Sequence, residues 1–398
     1  MARYLAYTSP ARGHLYPIVP TLLELRDRGH EVHVRTLASE VAALRGLGLR
    51  AEPIAAEIED APLRDFEASS MEEALASALE TFAYRATHEV PDLQHAIAGV
   101  GPDALLIDIT TVGAGAVAEA GQLPWAVSIP LFQHFSPDPS VPPAVTPVPF
   151  GIAPEAGLAA MNASRGEVGL APLARPEEIW RAPLHLSYTA PPFELERDFP
   201  PSFRFVGAGV WEPPAQPPDW LGQLEAPLVL VSVSSELQHD AALVEIALEA
   251  FRDEDVVVAA STAAHDPARF DVPANAHVAR WLPHGHLLAK ATCTICHGGM
   301  GMTQKTLAAG VPACVVPFGR DQFAVGARVA AVGAGTCVSP DGLDAESLRN
   351  AVHEAIGMRA GARRIADAFS AAGGSAAAAD ALESQLVHPT RHAEVTAH

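Results

Sequence analysis

Apolar and polar positions follow each other along the chain with the two periods that are typical of α/β proteins. Residues 3–9 form an apolar run that predicts a strand, and residues 17–28 carry apolar side chains at helical spacing. Gly29 ends this helix, and residues 31–36 predict the next strand. Strands that alternate with helices in this way predict a parallel sheet with helices on both faces.

The same alternation continues to about residue 130 and then changes. Ser39 is expected to cap a helix at 40–47. Further helices are predicted at 71–95 and 113–120, strands at 104–109 and 124–129, and helices again at 155–167 and 176–180. Between them, residues 132–154 are rich in proline and aromatic residues, which indicates an irregular loop that lines a site.

A proline-rich stretch at residues 206–220 predicts a stiff linker between two domains. After it, strands are predicted at 228–233, 255–260, 292–296 and 313–317, and helices at 241–251, 303–309 and 322–332. We therefore predict an α/β domain at residues 1–205, a second at 221–386 and a disordered tail at 387–398. Because ligands of open α/β sheets bind at the carboxyl ends of strands, we expect a binding cleft between the halves.

The composition excludes some classes of protein but does not identify the function. The chain has 398 residues, 49% of them hydrophobic and 18% charged, so it can build a large core. The formal net charge of −21 disfavours a nucleic-acid partner. The N-terminus lacks a signal-peptide core and no apolar run reaches about 18 residues, so we expect a cytoplasmic protein without a membrane partner. Four cysteines are too few for a disulfide scaffold and fit a reducing compartment.

The strongest local feature is the segment 293–322, where an apolar strand is followed by a glycine-rich turn and a helix. The turn begins with His297 and continues through Gly298, Gly299, Met300 and Gly301. Glycines let the backbone approach a ligand closely, and free N–H groups at a helix start bind anions. A pyrophosphate fits this arrangement, although glycine-rich turns also occur for purely steric reasons.

Several landmarks around this segment carry a family resemblance. They are residues 280–283 (RWLP), 297–299 (HGG), 310–312 (GVP), Pro317 and the Asp321-Gln322 pair. In this order and spacing the chain resembles the nucleotide-sugar glycosyltransferases of the GT-B fold. It is most similar to the actinobacterial enzymes of glycosyltransferase family 1 that decorate antibiotics and other secondary metabolites. The resemblance spans nearly the whole chain and implies two facing Rossmann-like domains, with the acceptor bound by the first and the nucleotide sugar by the second.

The resemblance also implies a donor site in the second half. The tryptophan region would bind the nucleoside base, the histidine and the turn amides the pyrophosphate, the Asp-Gln pair the sugar, and a serine-rich loop the phosphate. The residues concerned are Ser234, Ser235, Trp281, Leu282, His297, Gly298, Gly299, Met300, Gly301, Met302, Asp321 and Gln322.

Two positions depart from the pattern of the family. Met302 stands where relatives usually carry Thr or Ser, so only its backbone N–H could contact phosphate. Lys305 stands where many relatives carry a Glu that bonds the ribose hydroxyls. Because a lysine cannot accept those hydrogen bonds, this departure favours a dTDP-sugar over a UDP-sugar as the donor.

A candidate base lies in the first half. His14 follows the first predicted strand at the point where the family places its catalytic histidine, and a residue that titrates near neutrality suits proton removal from a hydroxyl. Asp108, at the end of the 104–109 strand, is the expected orienting carboxylate by family position. Without the resemblance, both would be interpreted as helix-capping residues. The resemblance further implies a single displacement that inverts the anomeric centre.

Three aromatic-loop residues are expected to line the acceptor cleft, although ordinary loop packing is an equal alternative: Phe132, His134 and Phe135.

Three other patterns are interpreted as structural. Residues 293–297 match the haem-attachment pattern CxxCH but form a buried strand, and residues 253–255 match a DxD metal motif but fall in a turn. His284 and His286 lack a third ligand at a convincing spacing. We therefore expect neither a metal nor a cofactor, the nucleotide sugar being a substrate.

Two other functions could use the same scaffold. A sugar-nucleotide epimerase would be expected to lack the linked His14–Asp108 base. A non-catalytic activator of a glycosyltransferase would be expected to have lost His297 and the Asp321-Gln322 pair, and the Lys305 departure keeps this alternative open. The acceptor, the sugar and the oligomeric state, for which a homodimer is one possibility, are not readable from the sequence.

Overall fold

The fold was determined as a computed structural model that describes residues 1–132, 154–174, 182–194, 199 and 201–387. The predicted helix at 176–180, most of the aromatic loop and the tail from residue 388 lie outside the described residues.

A parallel sheet forms the centre of the first half. Its strands are β1 (Arg3–Tyr7), β2 (Glu31–Thr36), β3 (Arg50–Pro53), β4 (Ala104–Asp108), β5 (Trp125–Ile129), β6 (Leu184–Ser187) and β7 (Phe203–Phe205). They are ordered β3-β2-β1-β4-β5-β6-β7. The accompanying helices are α1 (Arg12–Leu15), α2 (Val19–Asp27), α3 (Ala38–Gly46), α4 (Ala56–Glu59), α5 (Met71–Val100), α6 (Val112–Ala120) and α7 (Pro154–Glu167).

A second parallel sheet forms the centre of the other half. Its strands are β8 (Leu228–Ser232), β9 (Val257–Ser261), β10 (Ala276–Ala279), β11 (Ala291–Cys296), β12 (Ala313–Val315) and β13 (Gly335–Cys337), ordered β10-β9-β8-β11-β12-β13. Its helices are α8 (Ala241–Ala250), α9 (His284–Leu288), α10 (Met300–Ala308), α11 (Gln322–Ala331), α12 (Ala345–Gly357), α13 (Arg359–Ala371) and α14 (Gly374–Leu382).

Burial explains why these apolar runs become central strands. Every residue of β4, β5 and β8 is buried, as expected for parallel strands that are covered by helices on both faces. β1 and β4 are neighbours in the first sheet, and β8 and β11 are neighbours in the second. The segments that follow these four strands therefore gather at the carboxyl edges of the two sheets.

One local prediction was wrong at the start of a helix. The helix predicted at 17–28 is present as α2, which begins two residues later because a 3₁₀ turn at Tyr16–Ile18 that contains a proline precedes it. Ser39 is not an N-cap, because α3 already begins at Ala38 and Leu37 holds the cap position without a side-chain bond.

The C-terminal helix crosses from the second half to the first. α14 packs on α2, and its buried alanines and Leu382 belong to the apolar core of the first sheet. Arg28 donates from the same nitrogen to Asp380 and to Glu383, each at 2.6 Å. The predicted domain limits remain a prediction. Within them, residues between Ala377 and Val387 of the predicted second domain and its tail pack in the core of the first half.

Candidate active site

The His14 imidazole and the Asp108 carboxylate are in contact. α1, which follows β1, carries the histidine, and Asp108 is the last residue of the neighbouring β4. His14 Nδ1 lies 3.0 Å from Asp108 Oδ1, with 21% of the histidine side chain and none of the aspartate side chain exposed. Two side chains that are 94 residues apart in sequence are brought together because their strands end side by side.

Four further hydrogen bonds fix the Asp108 carboxylate. Oδ2 accepts from the backbone N–H of Ser9 at 3.1 Å and from its hydroxyl at 2.9 Å. Oδ1 accepts from the backbone N–H of Thr110 at 2.9 Å and from its hydroxyl at 3.1 Å. Burial alone would raise the pKa of Asp108, but the His14 charge and these hydrogen bonds outweigh it and lower the pKa.

The pKa of His14 moves in the opposite direction. Burial lowers it, but the negative charge of Asp108 and the hydrogen bond between the two groups outweigh burial and leave the pKa above its ordinary value. The pair is therefore arranged to accept a proton on the ring and to stabilise the resulting imidazolium.

His297 and its glycines form the start of α10 in the second half. His297 directly follows β11 and is 8% exposed. Gly298 has a φ of +91°, and a Cβ on Gly299 would overlap Nε2 of the histidine ring. Gly299 is also the N-cap of α10 and provides no side-chain acceptor, so protein side chains do not cap the first turn at this position. Burial lowers the pKa of His297, against the raising effect of Asp240, which favours the neutral form of the ring.

In the serine-rich loop after β8, Ser234 forms hydrogen bonds with other residues of the same loop. The backbone N–H of Ser234 donates to Asp240 Oδ2 at 2.6 Å, and its hydroxyl accepts from Gln238 Nε2 at 3.1 Å. His265 Nε2 lies 2.8 Å from the other oxygen of Asp240. Ser235 is exposed. The predicted contact of these serines with phosphate stays a prediction.

The Asp321-Gln322 pair lies where α11 begins. Gln322 Oε1 accepts from the backbone N–H groups of Phe318 at 2.8 Å and Gly319 at 3.1 Å, and its Nε2 donates to Gln238 at 2.6 Å. The glutamine amide thus ties the α11 loop to the β8 loop. Burial raises the pKa of Asp321.

Trp281 lies at the opening between the halves, with 55% of its surface exposed. The guanidinium carbon of Arg12, from the first half, lies 5.6 Å from the centroid of the tryptophan ring. Leu282 is partly buried and packs on an apolar cluster beneath β8.

Lys305 pairs with the linker. Its Nζ lies 3.0 Å from Oε2 of Glu212, while the other oxygen of this carboxylate accepts from Gly285 N at 2.7 Å. Burial would raise the pKa of Glu212, but Lys305 and the Gly285 bond lower it. Lys305 is thus neutralised by a carboxylate that lies 93 residues away in the chain.

The remaining predicted acceptor residues are only partly described. Phe132 is 2% exposed and packs on Phe193 at a centroid distance of 5.0 Å, inside a core cluster rather than on an open surface. His134 and Phe135 lie outside the described residues. The acceptor contacts of all three stay predictions.

Some functional neighbours were missed by sequence reasoning. Thr110 follows Asp108 by two residues, a spacing typical of a local turn bond, so it had a readable signal. Ser9, Arg12 and Glu212 had none, because their partners are distant in sequence.

Neither a metal-binding cluster nor a membrane-spanning helix is found in the described part of the chain. It holds no group of three or more His, Cys, Asp or Glu side chains arranged to bind a metal ion. No helix in the same ranges is long and apolar enough to cross a membrane.

Comparison with known proteins agrees with this architecture. The family model for the C-terminal domain of erythromycin biosynthesis protein CIII-like proteins matches residues 245–383. The 4'-demethylrebeccamycin synthase of Lentzea aerocolonigenes is 31% identical over 96% of this chain and 99% of its own length.

Solved structures show the same fold. The glycosyltransferase SnogD from Streptomyces nogalater superposes with a TM-score of 0.74 and 25% identity, covering 96% of this chain and 98% of its own. The spinosyn rhamnosyltransferase SpnG complexed with thymidine diphosphate has a TM-score of 0.74 and 22% identity, covering 96% of this chain and 100% of its own.

These likenesses and the two facing sheets place the chain in the class of GT-B glycosyltransferases, which confirms the predicted fold. More narrowly, the similarity to the rebeccamycin enzyme covers almost the whole chain, and the chain belongs to the family of antibiotic-type, secondary-metabolite glycosyltransferases.

Proposed function

We propose that the protein transfers a deoxysugar from a dTDP-sugar to a hydroxyl of a small-molecule natural product, with His14 as the general base. The observation that carries this proposal is the 3.0 Å contact between His14 Nδ1 and the buried Asp108. Because Nδ1 faces the carboxylate, Nε2 is the nitrogen that takes the acceptor proton. General-base help of this kind contributes about 10²–10⁴ in rate.

The reaction is a single displacement that inverts the anomeric centre. The acceptor oxygen attacks carbon 1 of the sugar while its proton moves to His14, and the bond to the diphosphate breaks on the opposite face. Asp108 stabilises the imidazolium that forms, and the solvent receives the proton after product release.

The leaving diphosphate is stabilised by protein groups without a metal or cofactor. The first amides of α10, together with the neutral His297 ring, offer hydrogen-bond donors where negative charge develops. Asp321 is the remaining candidate for the donor sugar, since both ends of the Gln322 amide already have partners in the chain.

The environment of Lys305 supports dTDP as the nucleotide. Lys305 cannot accept a hydrogen bond from a ribose hydroxyl, and both oxygens of the neighbouring Glu212 already accept from Lys305 and Gly285. SpnG, which shares the fold, was solved with thymidine diphosphate.

Calorimetric titration with dTDP and with UDP, both in EDTA, tests the donor site. We expect dTDP to bind more tightly than UDP and to need no metal. Tighter UDP binding would contradict the nucleotide assignment, and binding of neither would overturn the catalytic proposal in favour of a non-catalytic partner. An acceptor screen with His14→Ala as its inactive control then tests the transfer itself.

The competing functions have less support. An epimerase needs no acceptor base, yet the His14–Asp108 pair is assembled.

The four cysteines are free and three of them are buried, which supports a cytoplasmic location. A homodimer stays a prediction.

A further inference from the structure

Arg320 makes a set of ion pairs that spans the two halves of the molecule. Its Nε and one terminal nitrogen bond the two oxygens of Asp65, each at 2.7 Å. Its other terminal nitrogen bonds Glu236 at 2.7 Å. Asp65 belongs to the first half, in a 3₁₀ turn at Asp65–Glu67, whereas the arginine and Glu236 belong to the second. A two-pronged arginine–carboxylate pair fixes orientation as well as distance.

The backbone of Arg320 is held in an uncommon conformation. Its φ of +53° lies in the left-handed region, which non-glycine residues rarely adopt and which persists where the surroundings enforce it. Two constraints are visible. Gln322 bonds the backbone of Phe318 and Gly319 on one side, and the fork to Asp65 holds the arginine side chain on the other.

A second contact also joins the first half to the second half at this place. Phe66, next to Asp65, lies edge-on against the ring of His239 with their centroids 6.0 Å apart. The segment leading to Asp65 is itself anchored, because Arg85 of α5 donates twice to the carbonyl of Ala61, at 2.9 and 2.5 Å. The 3₁₀ turn at Asp65–Glu67 is therefore held in place by α5 of the first half and contacts the second half through Asp65 and Phe66.

The ion pairs adjoin the reacting groups. Arg320 directly precedes Asp321, the candidate residue for the donor sugar. Burial lowers and Asp108 raises the pKa of His14, and the charges of Glu236 and Asp321 add to the raising effect. The second-half carboxylates are thus within electrostatic reach of the base.

We propose that Arg320 and Asp65 form a clasp that closes the cleft and positions Asp321 opposite His14. In this role Arg320 is a positioning residue, and its effect on transfer rests on the function proposed above. When the clasp is broken, the loop at 318–322 and the 3₁₀ turn lose their shared anchor. The nucleotide site stays intact, because Trp281, His297 and α10 lie in the second half alone.

The test compares Asp65→Asn with Glu67→Gln. Glu67 lies in the same 3₁₀ turn but forms an exposed pair with Arg64 at 3.2 Å, so it is the matched control. We expect Asp65→Asn to lower kcat by roughly ten- to a hundredfold, since small misplacements of reacting groups cost rates of this order. The dTDP dissociation constant and the melting temperature should stay close to those of wild type, and Glu67→Gln should change none of these.

Two additional measurements separate positioning from general damage. Combining Asp65→Asn with Arg320→Gln should cost little more than Arg320→Gln alone, because the two residues act as one unit. Small-angle scattering of the dTDP-saturated protein should show a larger radius of gyration for Asp65→Asn than for Glu67→Gln.

An unchanged kcat together with an unchanged radius would overturn the clasp. The scattering result requires no acceptor, so it tests cleft closure even if wild type transfers no sugar. Absence of transfer by wild type, with a radius that still responds to Asp65→Asn, would count against the proposed function and not against the clasp.

Discussion

Among single residues, Asp108 is the most constrained group of the site. Besides His14 it receives four hydrogen bonds, two from Ser9 and two from Thr110, and it has no exposed surface. His14 and Asp108 were both predictable, because each follows an apolar run that becomes a strand and matches a family position. The direction in which Asp108 points was predictable only in part, since Thr110 lies two residues away but Ser9, which donates the other two bonds, lies 99 positions away.

The Asp108 charge should control both the rate and its pH dependence. Asp108→Asn keeps the side-chain shape but removes the charge that holds the pKa of His14 above its ordinary value. Burial, which lowers that pKa, then dominates. We expect kcat/KM to fall by about 10²–10⁴ and the acid limb of the residual activity to move to lower pH.

A pH profile of kcat/KM between about pH 5 and 9 checks this prediction. The base must be unprotonated to act, so activity is lost as pH falls through the pKa of His14. Asp60→Asn, at an exposed position of the same half, is the control and should leave the limb in place. An acid limb that stays put in Asp108→Asn would show that another group sets it.

Among the elements, the central strands were the most predictable and the short edge elements the least. β4, β5, β8 and β11 were predicted within about two residues because each is a continuous apolar run. β7 and β13 are three-residue edge strands, and neither belongs to a continuous apolar run of the kind that predicted β12. α12 was not predicted although its capping box, Asp344 with Ser347, was a readable signal.

The junction between β11 and α10 should tolerate no side chain at its second glycine. A Cβ on Gly299 would overlap Nε2 of His297, so Gly299→Ala must turn the ring out of place. The hydrogen bond of such a ring to a charged phosphate contributes about 1.5–3 kcal/mol. We therefore expect the dTDP dissociation constant to rise about ten- to a hundredfold.

Calorimetry with dTDP measures this effect, and Gly357→Ala is the control. Gly357 ends α12 in the same half, and a Cβ there meets nothing within 4 Å. The added methyl group should leave nucleotide affinity as in wild type. If Gly299→Ala bound dTDP equally well, His297 would have no part in holding the diphosphate.

At the scale of the whole molecule, several contacts join the two halves, and three of them involve different parts of the chain. The linker packs Trp211 against Tyr16 with ring centroids 4.8 Å apart, Arg320 spans the cleft to Asp65, and α14 returns to the first sheet. The sequence predicted the linker because prolines mark it. It did not predict the return of α14, because an alanine-rich helix carries no sign of its distant partner.

Leu382 tests whether α14 is structurally part of the first half. It is fully buried in the same cluster as Leu22 and Leu25 of α2, although it follows the linker by more than a hundred residues. Leu382→Ala should lower the free energy of unfolding by about 2–5 kcal/mol, as expected for a truncated core leucine. Ile356→Ala, at a 37% exposed position of α12, should change it by less than about 0.5 kcal/mol.

Denaturant unfolding distinguishes the two halves in a background where the other four tryptophans (Trp180, Trp211, Trp220 and Trp281) are replaced by phenylalanine. The remaining fluorescence then comes from Trp125, which is buried in β5 of the first sheet. If α14 completes that core, Leu382→Ala shifts the transition that Trp125 reports, even though the substitution lies near the C-terminal end of the chain. A Trp125 transition that stays at the wild-type denaturant concentration would mean that α14 contributes nothing to the first half. A shifted transition would mean that residues 1–205 cannot reach full stability alone, because part of their core is supplied by the last helix.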